Sequence, residues 1–426
     1  MNKKILVIGS GGREHAIARA FRDSQKVEKV FVAPGNPGME LDNAKHATPI
    51  ECVDINIQAF EQLAAFVKEN DIALTFVGPE QPLETGIVDY FNQEKLAIVG
   101  PTKEAAQLEN SKWFAKKVMA EAGVQTAQYH YFTADQITQA KTYCQDLGLP
   151  FVIKADGLMA GKGVVIPESM DEAHLTLDQM MLHNQKAVLI EEFLVGTEFS
   201  HFSLVNEEHI LALGSACDYK RVAANDTGLN TGGMGAFAPV PWVDDALNQQ
   251  VIDTVVKPVA QQMVAQGTPF TGVLYSGLIM TASGPKVIEF NTRLGDPETQ
   301  VLLPTLTTDF YEIVTAHLNQ QPLQINIASQ TLLGIVLAAQ GYPGDYVKKI
   351  PVAIPSELLP QIVFAGVSGT SDQLYSSGGR ILMAVASGHD LEEARTKAYA
   401  TIEKIETVDT FYRPDIGCHR QLKGED

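Results

Sequence analysis

The chain has 426 residues, enough for two to four domains with cores of their own. Its 51 Asp and Glu outnumber 32 Lys and Arg, and the resulting net charge of −19 weighs against nucleic acid as a partner, because an acidic surface repels polyanions. No apolar run approaches the ~20 residues that span a bilayer, and Ile5–Ile8 is too short for a signal peptide. The four cysteines, Cys52, Cys144, Cys217 and Cys418, show no paired ligand spacing. The expectation is a cytoplasmic protein with reduced thiols, no zinc and no membrane partner.

The first hundred residues alternate strand and helix. Lys4–Ile8 is an unbroken apolar strand, followed by a glycine turn and a helix from Glu14 to Phe21. Val30–Ala33, Ile72–Val77 and Leu96–Val99 supply further strands, with helices near 58–69 and 83–92. This pattern predicts a doubly wound parallel sheet that binds ligands at the carboxyl ends of its strands. Gly9-Ser10-Gly11-Gly12-Arg13 opens the first helix, where backbone N–H groups and the helix dipole favour an anion. Glu14 stands where a dinucleotide fingerprint has its third glycine, and Pro34-Gly35-Asn36 where it has an acid, so NAD is excluded. Arg13 suits a phosphate monoester; a tight turn without ligand is the plainer alternative.

Ser111 caps a helix from Lys112 to Glu121 that stops at Gly123. Residues 124–194 then change to short strands with helices near 135–147 and 171–182, the pattern of a small α+β lid. Within it, Val152–Val165 reads as strand, loop and strand. Lys154 and Lys162 offer charge, while Gly157, Gly161 and Gly163 let the backbone approach a phosphate. The order is not that of a Walker A loop, and a plain glycine hairpin is the alternative. Val188–Leu194 is an apolar strand ending in Glu191 and Glu192, with Glu198 beyond; it fits a hinge that contacts adenine and ribose, or merely a strand end. Asp218-Tyr219-Lys220-Arg221 precedes a loop containing Gly232, Gly233, Met234 and Gly235. That arrangement could grip a phosphate or carboxylate, and taken alone is more often a mobile surface loop.

Val273–Met280 leads through Ser283-Gly284 into the strand Val287–Asn291. Alternation puts Glu289, Asn291 and Arg293 on one face, with Ile288 and Phe290 on the other. A carboxylate and an amide oxygen suit Mg²⁺ bound together with nucleotide phosphates, and an adjacent arginine can neutralise charge during phosphoryl transfer. An edge strand with a solvated polar face is the bland reading. Leu332–Ala339, Arg380–Ala386 and a helix from Leu391 to about Ile405 form a last α+β piece. His15, His130 and His201 have no partner pattern, and no nucleophile triad can be argued.

In this order, the segments Val7–His15, Val32–Asn36, Val77-Gly-Pro-Glu80, Ile153–Gly157, Ala160–Gly163, Glu191–Leu194, Asp226–Gly228, Asn230–Gly235, Ile288–Asn291 and Gly295-Asp-Pro-Glu298 resemble the phosphoribosylamine–glycine ligase family of the ATP-grasp superfamily. The resemblance covers essentially the whole chain. It implies an N-terminal α/β domain over 1–102, an ATP-grasp domain over 103–327 with a lid at about 124–194, and a C-terminal α+β domain over 328–426. It implies joining of glycine to 5-phosphoribosylamine with ATP, through a glycyl phosphate, in purine biosynthesis, by a monomer acting only on small molecules. Lys112, Lys154, Gly161, Lys162 and Gly163 would hold or cover the ATP phosphates. Glu191, Glu192, Leu194 and Glu198 would line the adenosine, and Glu289 and Asn291 would bind Mg²⁺ or Mn²⁺. Gly11, Gly12, Arg13, Asp218, Lys220 and the Gly232–Gly235 loop would bind substrate, with Gly295 and Asp296 near glycine. Arg293, Lys154 and Lys220 are the candidate catalytic cations. Tyr219, Met159 and Leu229 depart from the family pattern, and Val273–Met280 lacks a carboxylate for a second metal. Another ATP-grasp ligase, or a regulator that binds nucleotide without catalysis, would share much of this pattern.

Overall fold

The computed structural model describes residues 3–41, 43–157 and 163–418. Lys3–Gly9 is the middle strand of a five-stranded parallel sheet, ordered Ile50–Cys52, Val27–Pro34, Lys3–Gly9, Ile72–Val77, Ile98–Val99. Its run is unbroken because both faces are covered: Ile5 and Val7 pack toward the large sheet below, Leu6 and Ile8 toward the outer helices around Leu63, Val67 and Phe91. The helix expected near 83–92 is two helices, Glu80–Thr85 and Ile87–Gln93, parted at Gly86 with φ 96°. The chain reverses its winding at Lys3–Gly9, so the crevice for a ligand opens after Gly9 and Gly78.

A nine-stranded sheet forms the centre. Its order is Gly284–Asn291, Thr271–Thr281, Thr197–Asn206, His209–Asp218, Gly235–Ala238, Thr331–Ala339, Arg380–Gly388, Ile362–Phe364, with Thr410–Phe411 beside Thr331–Ala339. Strands of the last hundred residues therefore complete the central sheet. Gly235–Ala238 pairs with Cys217 and Asp218 on one side and with Leu332–Ile335 on the other. One apolar core runs across the join, from Phe237 and Phe290 to Leu333, Ile381 and Ala394.

Residues around the expected lid form a separate four-stranded sheet, Tyr129–Phe132, Val188–Glu192, Phe151–Ala155, Val164–Val165. It is backed by the helices Ile137–Leu147 and Met170–Leu177 and has its own core around Phe151, Leu177 and Ile190. The second helix continues to His183 as a wider π turn.

The expected face alternation on Gly284–Asn291 needs correction. Leu278 pairs with Val287 but Gly277 with Glu289, so the register skips Ile288. Val287 therefore shares the buried face with Phe290, at 0% and 3% exposure, while Ile288 leaves the ladder. Glu289 and Asn291 keep their common face because the bulge lies before both.

Candidate active site

The bulge at Ile288 turns its carbonyl toward the lid, where it accepts a hydrogen bond from Lys154 Nζ at 3.2 Å. Beyond it, Glu289 makes no hydrogen bond or ion pair among the described residues, although Lys112 and Lys220 lie within its field. Asn291 Oδ1 accepts from Arg293 Nη2 at 3.2 Å. A carboxylate with no other claim on it, beside an amide oxygen, fits a hard divalent cation. No group of three or more His, Cys, Asp or Glu among the described residues could enclose one, so phosphate and water oxygens would complete its shell.

Arg293 is held by Glu109 Oε1 at 2.9 Å and Glu80 Oε2 at 3.4 Å. Burial works against its charge, but Glu109 and Glu80 more than compensate and raise its pKa. Glu109 is fixed in turn by the Thr292 amide at 2.8 Å and hydroxyl at 3.0 Å.

On the lid side, Glu191 lies between two lysines, Lys154 at 2.8 Å and Lys116 at 3.2 Å. Burial pushes the Lys116 ammonium down to about 8 despite Glu191. Lys112 and Lys116 share a helix face, four residues apart; burial lowers the Lys112 pKa too, against Glu289. Asp156, at the end of a lid strand, accepts from the Lys112 amide at 2.7 Å, and Tyr131 stacks on Trp113 at 4.6 Å. The small four-stranded sheet is thus docked on the first turn of Lys112–Ala122. Glu192 accepts from the Gln128 amide at 3.0 Å and pairs with Lys286 at 3.3 Å, Leu194 is half-buried, and Gly163 is buried beside Ala155. Gly161, Lys162 and the departure at Met159 lie outside the described residues.

Asp218 and Lys220 sit at the end of His209–Asp218, and Lys220 pairs with Glu198 at 3.3 Å. Burial opposes the Lys220 charge; Asp218 and then Glu198 overcome it and hold the lysine protonated. Facing them, Tyr275 hydroxyl accepts from Ser200 at 2.8 Å and donates to Glu298 at 2.7 Å. Burial, with Asp218 second, pushes Glu298 up to about 7. Tyr219, the departure before Lys220, is buried and bonds the chain at Gly417 and Cys418; Leu229 is 65% exposed.

The first glycine turn differs from its expected use. A Cβ at Gly9 or Gly78 would overlap Glu14, whose carboxylate fills the crevice and accepts from the Gly11 amide at 2.6 Å. Arg13 is turned inward: Nε donates to Glu14 at 2.6 Å, Nη1 to Leu294 carbonyl at 3.2 Å, and Nη2 approaches Glu80 at 4.0 Å. Gly12 packs on Gln300. Of these three, Gly11 alone lines the neighbouring cleft, about 560 Å³, with Asn36, Asp296, Tyr342, Gly378 and Arg380.

Arg380 organises that cleft. It pairs with Asp296 Oδ2 at 2.9 Å and donates to the carbonyls of Asp296 at 2.9 Å and Gly232 at 2.6 Å. Burial would raise the Asp296 pKa, and Arg380 followed by Arg13 lowers it. Gly232 donates to Tyr342 hydroxyl at 3.0 Å. Gly233 takes φ +112° against Pro297, where any side chain would collide, which seats the Gly295-Asp-Pro-Glu298 turn under the loop. Met234 is fully buried and Gly235 begins its strand, so these two support the loop from below.

The sequence alone did not single out Lys116, Glu109, Tyr275, Tyr342 and Arg380. Helical spacing from Lys112 pointed to Lys116, and Gly378-Gly379-Arg380 repeats the glycine–arginine pattern of the first turn. Nothing local marked the others.

Residues 3–109, 110–299 and 332–419 match the profiles of the phosphoribosylglycinamide synthetase N domain, ATP-grasp (A) domain and C domain. The chain belongs to the phosphoribosylglycinamide synthetase family. It is 45% identical to phosphoribosylamine–glycine ligase of Streptococcus suis over 97% of this chain and 99% of that one. Against the ligase of Halalkalibacterium halodurans it is 44% identical, over 97% and 96%. The crystal structure of phosphoribosylamine–glycine ligase from Thermotoga maritima superposes with a TM-score of 0.82 at 32% identity, over 97% of this chain and all of that one. The biotin carboxylase domain of Hydrogenobacter thermophilus 2-oxoglutarate carboxylase shares the fold, with a TM-score of 0.70 at 16% identity over 97% and 92%. No helix among the described residues is long and apolar enough to cross a membrane.

Proposed function

We propose that this member of the phosphoribosylglycinamide synthetase family joins glycine to 5-phosphoribosylamine at the cost of ATP, giving glycinamide ribonucleotide, ADP and phosphate in purine biosynthesis. The observation that carries the reading is that one segment, Ile288–Glu298, collects groups from every part of the chain. Lys154 of the lid reaches Ile288, Arg13 of the N-terminal sheet reaches Leu294, and Arg380 of the C-terminal strands reaches Asp296.

A glycine carboxylate oxygen attacks the γ-phosphorus and ADP leaves. The amine nitrogen then attacks the acyl carbon, phosphate leaves, and the nitrogen gives up a proton. Such transfers need positioning and charge neutralisation more than a protein nucleophile. Lys112 and Lys154, with the loop through Gly161, Lys162 and Gly163, take the ATP phosphates. Glu191, Glu192, Leu194 and Glu198 take the adenosine. Arg293 faces the transferred phosphoryl group, and Asp218 and Lys220 face glycine with Gly295. The ribosyl phosphate occupies the Gly11–Arg380 cleft, so Arg13 serves it indirectly by fixing Glu14. Glu289 and Asn291 would hold Mg²⁺ or Mn²⁺, and the cation would neutralise phosphate charge. The division at 102/103 and 327/328, a monomeric state and a cytoplasmic location complete the proposal; the acidic surface keeps nucleic acid out of it.

The test is ADP release by the purified chain with Mg²⁺ and ATP. Release should require glycine and phosphoribosylamine together. Release with neither, or with a different carboxylate in place of glycine, would refute the assignment.

A further inference from the structure

Three ionisable groups are buried together beside the Ile288–Glu298 segment: Lys116 at 2%, Glu191 at 3% and Lys154 at 5% exposure. The two lysines are not equivalent. Lys116 Nζ is anchored on every side, by Thr126 Oγ1 at 2.8 Å, the Ala127 carbonyl at 3.5 Å, Glu191 at 3.2 Å and the Tyr129 ring at 5.0 Å. It springs from the rigid helix Lys112–Ala122. Lys154 Nζ pairs with Glu191 and donates to the bulged Ile288 carbonyl, and its residue lies on the strand Phe151–Ala155.

Lys154 is held by the Glu191 carboxylate. A phosphate that draws Lys154 off Glu191 would leave a buried carboxylate, which is strongly disfavoured without another cation. Glu191 keeps a cation only because Lys116 stays. We propose that Lys116 is a positioning residue for the nucleotide: it remains with Glu191 as a second cation and so frees Lys154 to move to the phosphates of ATP. This rests on the assignment of Lys154 to those phosphates.

Removing Lys116 leaves Lys154 as the sole partner of Glu191, and the carboxylate then competes with the triphosphate for it. The penalty falls on ligands that carry phosphates. Calorimetric Kd values for ATP, ADP and adenosine with Mg²⁺ would be compared in the full chain. Lys116→Met should weaken ATP and ADP by about ten- to a hundredfold, the worth of one charge-assisted contact, and leave adenosine unchanged. Lys116→Arg should restore ATP binding. In a Glu191→Gln background nothing traps Lys154, so adding Lys116→Met should change ATP affinity little. Lys116→Gln, which can still bond Thr126, serves as the second variant should the methionine protein not fold.

Equal weakening of adenosine and ATP would overturn the proposal in favour of a purely structural lysine. A full effect persisting in the Glu191→Gln background would overturn it in favour of direct contact with nucleotide. Lys154→Met separates the underlying reading: if it leaves the ATP-to-adenosine ratio of Kd values unchanged, the Lys154 assignment itself fails. If Lys154→Met lowers that ratio's preference for ATP and Lys116→Met does not, the Lys116 proposal alone fails.

Discussion

Replacing Arg380 by methionine keeps much of the apolar stem and removes the guanidinium. Both Arg380 and Asp296 side chains are 20% exposed, so the pair is only modestly screened. The change deletes one ion pair at 2.9 Å and the bonds to the carbonyls of Gly232 and Asp296, and it leaves Asp296 charged without its main cation. Removing one partner of a largely buried pair costs roughly 3–5 kcal/mol, and the three bonds act as one unit and do not add. We expect about 3 kcal/mol of local stability to be lost, visible as an earlier urea transition. A phosphate contact is worth roughly 1.5–3 kcal/mol, so the KM for phosphoribosylamine should rise about ten- to a hundredfold. On the proposed assignment ATP would bind at the other end of the Ile288–Glu298 segment, so its KM should stay near the parent value. Arg380→Lys should fall between, since a lysine keeps charge but cannot bridge Asp296 and two carbonyls at once. Parallel rises in both KM values, or an unchanged phosphoribosylamine KM, would refute the placement of the phosphate in this cleft.

Glu289→Gln should nearly abolish ADP release at limiting Mg²⁺ with the circular dichroism spectrum unchanged; near-normal turnover would remove Glu289 from the metal site. Glu298 is pushed up to about 7 from an ordinary 4.5. The folded chain therefore binds more protons than the unfolded one across that window, and this residue's contribution to stability falls as pH rises from about 4.5 to 7. Glu298→Gln should accordingly gain on the parent in melting temperature between about pH 5 and pH 8; a pH-independent difference would contradict the burial argument. Amide exchange at 155–157 and 163–165 should slow with an ATP analogue and Mg²⁺, with less change beyond 328. Unchanged protection there would count against a closing lid.

Much of the architecture was legible because it follows from local periodicity. A short, β-branched apolar run such as Ile5–Ile8, closed by Gly9, fits a strand covered on both faces, and alternating strand and helix leads to a parallel sheet. The Glu289–Asn291 pair was readable for the same reason, since spacing two on a strand sets a common face. The bulge at Ile288 was not, because a skipped register depends on the partner strand. Which sheet the C-terminal strands join was not legible, because their apolar pattern is the same in any sheet; Gly235–Ala238 decides it by pairing on both edges.

The sequence by itself determined the elements, the glycine turns, the acidic balance of charge and, through the order of its motifs, the family. Tertiary structure decided which charges meet. Arg13 and Arg380 both follow glycines, yet Arg13 is consumed by Glu14, its neighbour in sequence, while Arg380 crosses to Asp296 and borders the cleft. Likewise Lys116 and Lys154 acquire a shared partner only when the lid lies on the helix Lys112–Ala122. Strand and helix periods act over a few residues and can be read along the chain. Coulombic partnership depends on distance in space, and residues far apart in sequence come within about 3 Å only once the core has packed.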